Sequence, residues 1–145
     1  MGEKMNAGDH IVRNLIANGV ETVFGLPGVQ PYPLFEALAR NADTIRTVSA
    51  RHEQATAYMA LGDAKSTGRP SVYSDVPGPR VLNTGAALST AYGVNAPIMC
   101  LTGQVPSEFL GRERGHLHEL ADQQATLSTF IKAAYRIEHP QDANR

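Results

Sequence analysis

Residues 44–67 read TIRTVSARHEQATAYMALGDAKST, and the way this stretch divides decides the fold. The β-branched run through Ala50 suits a pleated strand. The alanine-rich run from Ala55 onward suits a helix, which Gly68 and Pro70 then end. Residues 51–54, RHEQ, therefore mark a strand passing into a helix. Glu53 falls in the first turn of that helix, where the partial positive charge of a helix start favours a carboxylate with no further role. In an open α/β sheet the same place, beyond the carboxyl end of a strand, is also where ligands bind.

Working outward, Ile11, Val12, Leu15 and Ile16 within 7–18 share one helical face, and Gly19 stops that helix. ETVFG (21–25) is a short strand, LPGVQP (26–31) a turn, and a second helix carries Leu34, Phe35, Leu38 and Ala39 at the same spacing. Downstream come the strand SVYSDV (71–76) and a helix over about 79–93. APIMCLTG (96–103) is the most hydrophobic strand, and FIKAAYRI (130–137) is one more candidate. Strands alternating with helices predict an α/β fold: three layers, with a mostly parallel sheet covered by helices on both faces. There is no internal repeat, and the polar end EHPQDANR (138–145) reads as the start of a linker or the end of the chain.

A length of 145 residues suits one domain with a real core. The net charge of -1, without a basic stripe, argues against nucleic acid or an anionic membrane as partner. No stretch approaches the roughly 20 apolar residues of a membrane span, and MGEKMNAGDH has no apolar signal region. The single cysteine, Cys100, excludes a disulfide framework and reads as a small buried hydrophobe. A reducing, cytoplasmic setting is the expectation. Two helices look over-apolar for a monomer. Within 53–66, Ala55, Ala57, Tyr58, Met59, Ala60, Leu61 and Ala64 wrap most of the circumference, and Val81, Leu82, Gly85, Ala86, Ala87, Leu88, Ala91 and Tyr92 do so within 79–93. Such helices are buried on more than one side, which points to a second subunit or domain packing there.

The loops after the four strands are GLPGVQ, RHEQ, DVPGPRVLN and TGQVP. GLPG lacks both the Gly-x-Gly-x-x-Gly spacing and the phosphate-binding lysine, so a dinucleotide or nucleoside triphosphate is disfavoured. HLHE (116–119) places histidines at i and i+2, which share no helical face, so no metal site is expected in this chain.

Taken together, GVETVFGLPG, RHEQATAYMALGDAKSTGRP and PGP...LNTGAALSTAYGVNAPIMCLTGQVP resemble the N-terminal pyrimidine-binding domain of thiamine-diphosphate-dependent enzymes of the acetolactate synthase and pyruvate decarboxylase group. The resemblance extends to about residue 137, leaving 138–145 as linker, and implies that the middle and diphosphate-binding domains lie outside these residues. It implies that Glu53 hydrogen-bonds the ring nitrogen N1′ of the cofactor's aminopyrimidine. A carboxyl group in a dry cleft would be pushed toward its protonated form and could share that proton, as a glutamine could not.

The same resemblance assigns Pro27 and Gly28 to the turn facing the reacting centre, with Gly78 and Asn83 beside the cofactor. It makes Val29, Gln30 and Gln104 substrate contacts. HLHE falls where decarboxylases of the group carry a histidine pair, which makes His118 a candidate proton relay. PGPRVLN departs from the usual GPG followed by a small residue and TN, and places bulky Arg80 near the site entrance. The GDG motif that holds the Mg2+ and diphosphate is absent, so the metal belongs to a C-terminal domain; FAD in a middle domain is possible. The implied substrate is a 2-oxo acid or dicarbonyl, the implied partner a second subunit through helices 53–66 and 79–93, and an isolated domain would lack turnover. The other reading is a non-catalytic dimerising or regulatory module of the same fold.

Overall fold

The strand-to-helix junction at 50–53 forms where the sequence places it. In the computed structural model, which describes residues 5–144, His52 caps the helix with its Nδ1 accepting from the Gln54 N–H at 3.2 Å. Around it the order is α1 (Ala7–Ala17), β1 (Thr22–Gly25), α2 (Tyr32–Arg40), β2 (Arg46–Ser49) and α3 (Glu53–Thr67). Then follow β3 (Ser71–Asp75), α4 (Pro79–Leu82), α5 (Gly85–Gly93), β4 (Ile98–Thr102), α6 (Gln123–Ser128) and a 3-10 helix, Pro140–Asn144, lying against α1.

All pairings are parallel and the strand order is β2-β1-β3-β4. The chain leaves β1 through α2 to reach β2, then crosses back over β1 through α3 to reach β3. One face of the sheet is covered by α1 and α2, where Val12, Leu15, Leu34, Ala37 and Leu38 pack on Val23 and Val72. On the other, Ala57 and Ala60 of α3, Val81 of α4, Ala87 and Leu88 of α5 and Leu127 of α6 pack around Tyr73. The three-layer α/β architecture is therefore present, with helices on both faces. The direction of winding reverses between β1 and β3, so their carboxyl ends open a crevice, the usual place for a ligand in such sheets.

Three expectations need correction. FIKAAYRI forms no strand: α6 delivers the chain to the helical layer, where Phe130 and Ile131 pack on the α3–α5 cluster, while Tyr135 is exposed. Consequently β4, the most hydrophobic strand, is an edge whose Met99 is exposed, and the more polar β3 is central and buried throughout. Cys100, on that edge, is half-buried as a whole residue, although it packs against the α3–α5 cluster. The helix expected over 79–93 is two helices. The N–H groups of Asn83 and Thr84 reach back three residues, to Arg80 and Val81, and the Thr84 hydroxyl bonds the Val81 carbonyl at 2.7 Å while accepting from Tyr73 Oη at 2.9 Å. That tightened turn ends α4.

Within this chain α3 buries one stripe, Glu53, Thr56, Ala57, Ala60, Leu61 and Ala64, and α5 buries Ala87, Leu88 and Ala91. The outward side chains Tyr58, Leu82, Tyr92 and Val94 remain exposed.

Candidate functional site

Four loops meet beyond the carboxyl edge of the sheet, and glycines allow their approach. A Cβ on Gly28 would fall on Val76 Cγ2, and one on Gly103 would press on Gln30 Cβ at 2.7 Å and Pro77 Cδ at 3.3 Å. Gly78 has φ +70°, a backbone that L side chains rarely adopt, and a Cβ there would overlap the His118 carbonyl. His118 itself sits at φ 69°, left-handed backbone held by that packing. Buried Gln123 ties the cluster together: its Oε1 accepts from Gly78 N at 2.8 Å, and its Nε2 donates to Gly103 O at 3.1 Å. Nothing in ADQQATL distinguishes Gln123 from its exposed neighbour Gln124, so the sequence alone misses it.

Glu53, at the start of α3, is 5% exposed. Arg80 Nε donates to its Oε1 and Asn83 Nδ2 to its Oε2, the latter at 3.0 Å. The first turn of α4 presents Arg80, and Asn83, which caps its end, presents the other donor. Burial alone would raise the pKa of this carboxyl, but the hydrogen bonds from Asn83 and Arg80, with the arginine's charge, hold it below the usual glutamate range. The expectation of a carboxyl pushed toward protonation is not met in this chain, because Arg80, which the sequence placed near the site entrance, pairs with Glu53 and compensates the desolvation.

Of the other residues singled out, Gln30 and His118 come together, with His118 Nδ1 3.2 Å from Gln30 Oε1. Pro27 and Val29 are exposed on the same turn. Gln104 is turned onto its own backbone, its Oε1 accepting from Val105 N at 2.8 Å. His116 stacks on Phe109 with ring centroids 4.3 Å apart, and Glu119 closes the loop by accepting from the N–H groups of Glu113 at 3.1 Å and His116 at 2.8 Å. His116 and His118 thus serve different neighbours. Among the described residues no three His, Cys, Asp or Glu side chains group as a metal site.

A buried carboxylate at the switch point, receiving planar N–H donors between glycine-lined turns, suits a nitrogen heterocycle. Residues 5–126 match the family of the thiamine pyrophosphate enzyme, N-terminal TPP binding domain. The chain belongs to this family. Its curated relatives include a probable 2-ketoarginine decarboxylase of Pseudomonas aeruginosa, 40% identical over 121 residues, which cover 83% of this chain and 21% of that protein. A probable acetolactate synthase large subunit of Methanocaldococcus jannaschii is 36% identical over 109 residues, 75% of this chain and 18% of the relative. The acetolactate synthase isozyme 1 large subunit of Escherichia coli is 33% identical over 111 residues, 77% and 20% of the two chains. The chain thus spans about a fifth of the length of the relatives it matches. As a thiamine-pyrophosphate-binding domain, its residues fit the cofactor's pyrimidine: the N–H that Arg80 offers Glu53 is the kind of donor a protonated N1′ offers. None of the helices described is long and apolar enough to cross a membrane.

Proposed function

We propose that this chain is the pyrimidine-binding part, over residues 1–137, of an acetolactate synthase-like enzyme acting on a 2-oxo acid or dicarbonyl by decarboxylation, carboligation or C–C cleavage. The observation that carries this reading is the buried Glu53 carboxylate receiving N–H donors at the switch crevice of a matched thiamine-pyrophosphate domain. When bound, thiamine diphosphate supplies a carbon that adds to a carbonyl and an electron sink for C–C cleavage. Glu53 would hold a proton at the pyrimidine N1′ in place of its bond to Arg80. Pro27, Gly28, Gly78 and Asn83 shape the cofactor face. Val29 and Gln30 border the substrate, Gln104 joins them by turning outward, and His118, already against Gln30, moves a proton to or from the substrate.

In the same reading the diphosphate, its Mg2+ and any FAD are held by domains outside these residues, with 138–145 leading toward them. Residues 53–66 and 79–93 form the subunit contact through the exposed Tyr58, Leu82 and Tyr92, and the protein works in the cytoplasm. The isolated domain is inactive. The test is Glu53→Gln in the enzyme with all its domains, measuring thiamine diphosphate affinity by calorimetry and turnover of 2-oxo acids. Losing a charge-assisted hydrogen bond weakens binding by a factor of about 10–100 and abolishes turnover. Wild-type affinity and turnover would remove the reading.

The engagement of Glu53 by Arg80 favours a second reading, the non-catalytic dimerising or regulatory module. Arg80→Gly separates the two. Tighter thiamine diphosphate binding supports the enzyme, and a multidomain protein that binds none with either residue supports the module.

A further inference from the structure

At the end of β3, Asp75 is fully buried, and its Oδ1 has no hydrogen-bond partner among the described residues. Its Oδ2 lies 2.6 Å from Thr56 Oγ1, which in turn lies 2.6 Å from the main-chain carbonyl oxygen of Glu53. Thr56 is also fully buried. A threonine hydroxyl has one proton, and a carbonyl oxygen can only accept. If that proton goes to Glu53, the short contact with Asp75 needs a second proton, and Asp75 is its source. If it goes to Asp75 instead, it is the one side-chain hydrogen bond among the described residues to a fully buried carboxylate, whose other oxygen accepts none and whose neighbouring Leu26 N–H is already bonded to the Ser74 carbonyl. Burying such an ion costs several kcal/mol, and the arginine nearby, Arg80, is already paired with Glu53. A neutral acid leaves only a carbonyl oxygen bare.

We propose that Asp75 is a protonated carboxylic acid in the folded chain under mildly acidic conditions, donating to Thr56 and through it fixing the Glu53 main chain at the start of α3. Asp75 is thus a positioning residue. Its surroundings agree. Burial raises its pKa, the Thr56 contact opposes that, the Glu53 charge raises it further, and the Leu26 N–H and Arg80 oppose; the balance pushes it up to about 7. The other titratable groups facing it are Tyr73 on β3 and Cys100 on β4, whose thiol burial pushes up to about 12, so neither supplies a countercharge.

The positioning role rests on the cofactor reading of Glu53; the proton does not, and the two are measured apart. Titration of the Glu53 carboxyl, followed by 13C NMR in the wild type and in Asp75→Asn, should superimpose, because Asp75 stays neutral while Glu53 ionises. A lower Glu53 pKa in Asp75→Asn would mean that a negative charge had been removed, and overturns the proposal. If Asp75→Asn does not fold, infrared difference spectra at mildly acidic pH decide. A protonated carboxyl band expected in the wild type and in Thr56→Ser should move to higher frequency in Thr56→Val, which lacks the acceptor. Absence of the band from the wild type overturns the proposal. In the multidomain enzyme, Asp75→Asn should keep wild-type thiamine diphosphate affinity and Asp75→Ala should lose several-fold. Equal affinity for the two variants sinks the positioning role, whereas failure of the Glu53→Gln test sinks the cofactor reading and leaves the proton untouched.

Discussion

Replacing Arg80 by Ala takes the guanidinium off Glu53 and leaves Asn83 on the other carboxylate oxygen. A hydrogen bond to a charged group contributes about 1.5–3 kcal/mol. The Arg80 side chain is 33% exposed against 7% for Glu53, so water screens one end of the pair. Allowing for that, the loss at neutral pH should be roughly 1–2 kcal/mol, or about 2–8 °C in Tm for a chain of this size. The pH dependence is more telling than the offset. In the wild type the Glu53 pKa is depressed, so its contribution is present above the unfolded value, about 4.3, and is lost as pH falls through the folded value. In Arg80→Ala, burial meets less opposition and the folded pKa rises. The variant's deficit therefore shrinks in acid, where Glu53 is protonated in both proteins, and grows toward neutral pH. Urea unfolding followed by circular dichroism from about pH 3 to 7 measures this directly. Two curves separated by a constant offset would show that Arg80 acts through packing alone, and coincident curves would show that it does not hold Glu53 in solution.

Gly78→Ala must force a side chain into φ +70° and onto the His118 carbonyl, so a loss of about 2–4 kcal/mol is expected in urea unfolding, with faster amide exchange over 113–119. Gln123→Ala leaves the Gly78 N–H and Gly103 carbonyl without their partner and should cost roughly 1–3 kcal/mol, visible in thermal melts as a lower Tm with unchanged far-ultraviolet spectrum. Leu38→Ala, at 1% exposure between α1, α2 and the sheet, should cost about 2–5 kcal/mol and leave the Glu53 titration unmoved, because it empties the opposite face.

What the sequence determined by itself was the alternation of strands and helices, the junction at RHEQ and the presence of a carboxylate beyond a strand end. These are local: a strand's β-branched run, a helix's repeat and a turn's glycine are written in consecutive residues. Hydropathy did not rank the strands. SVYSD became the buried centre and IMCLT an edge, because sheet order follows from where each crossover helix lands. Nor could residues 130–137 show that they would cover helices instead of extending the sheet. The ionisation of Glu53 depends on residues 27 and 30 positions away in the chain, and the proton on Asp75 on a threonine 19 positions before it. Such charges are set by burial and by which donors the tertiary fold brings within reach, quantities that no run of neighbouring residues contains.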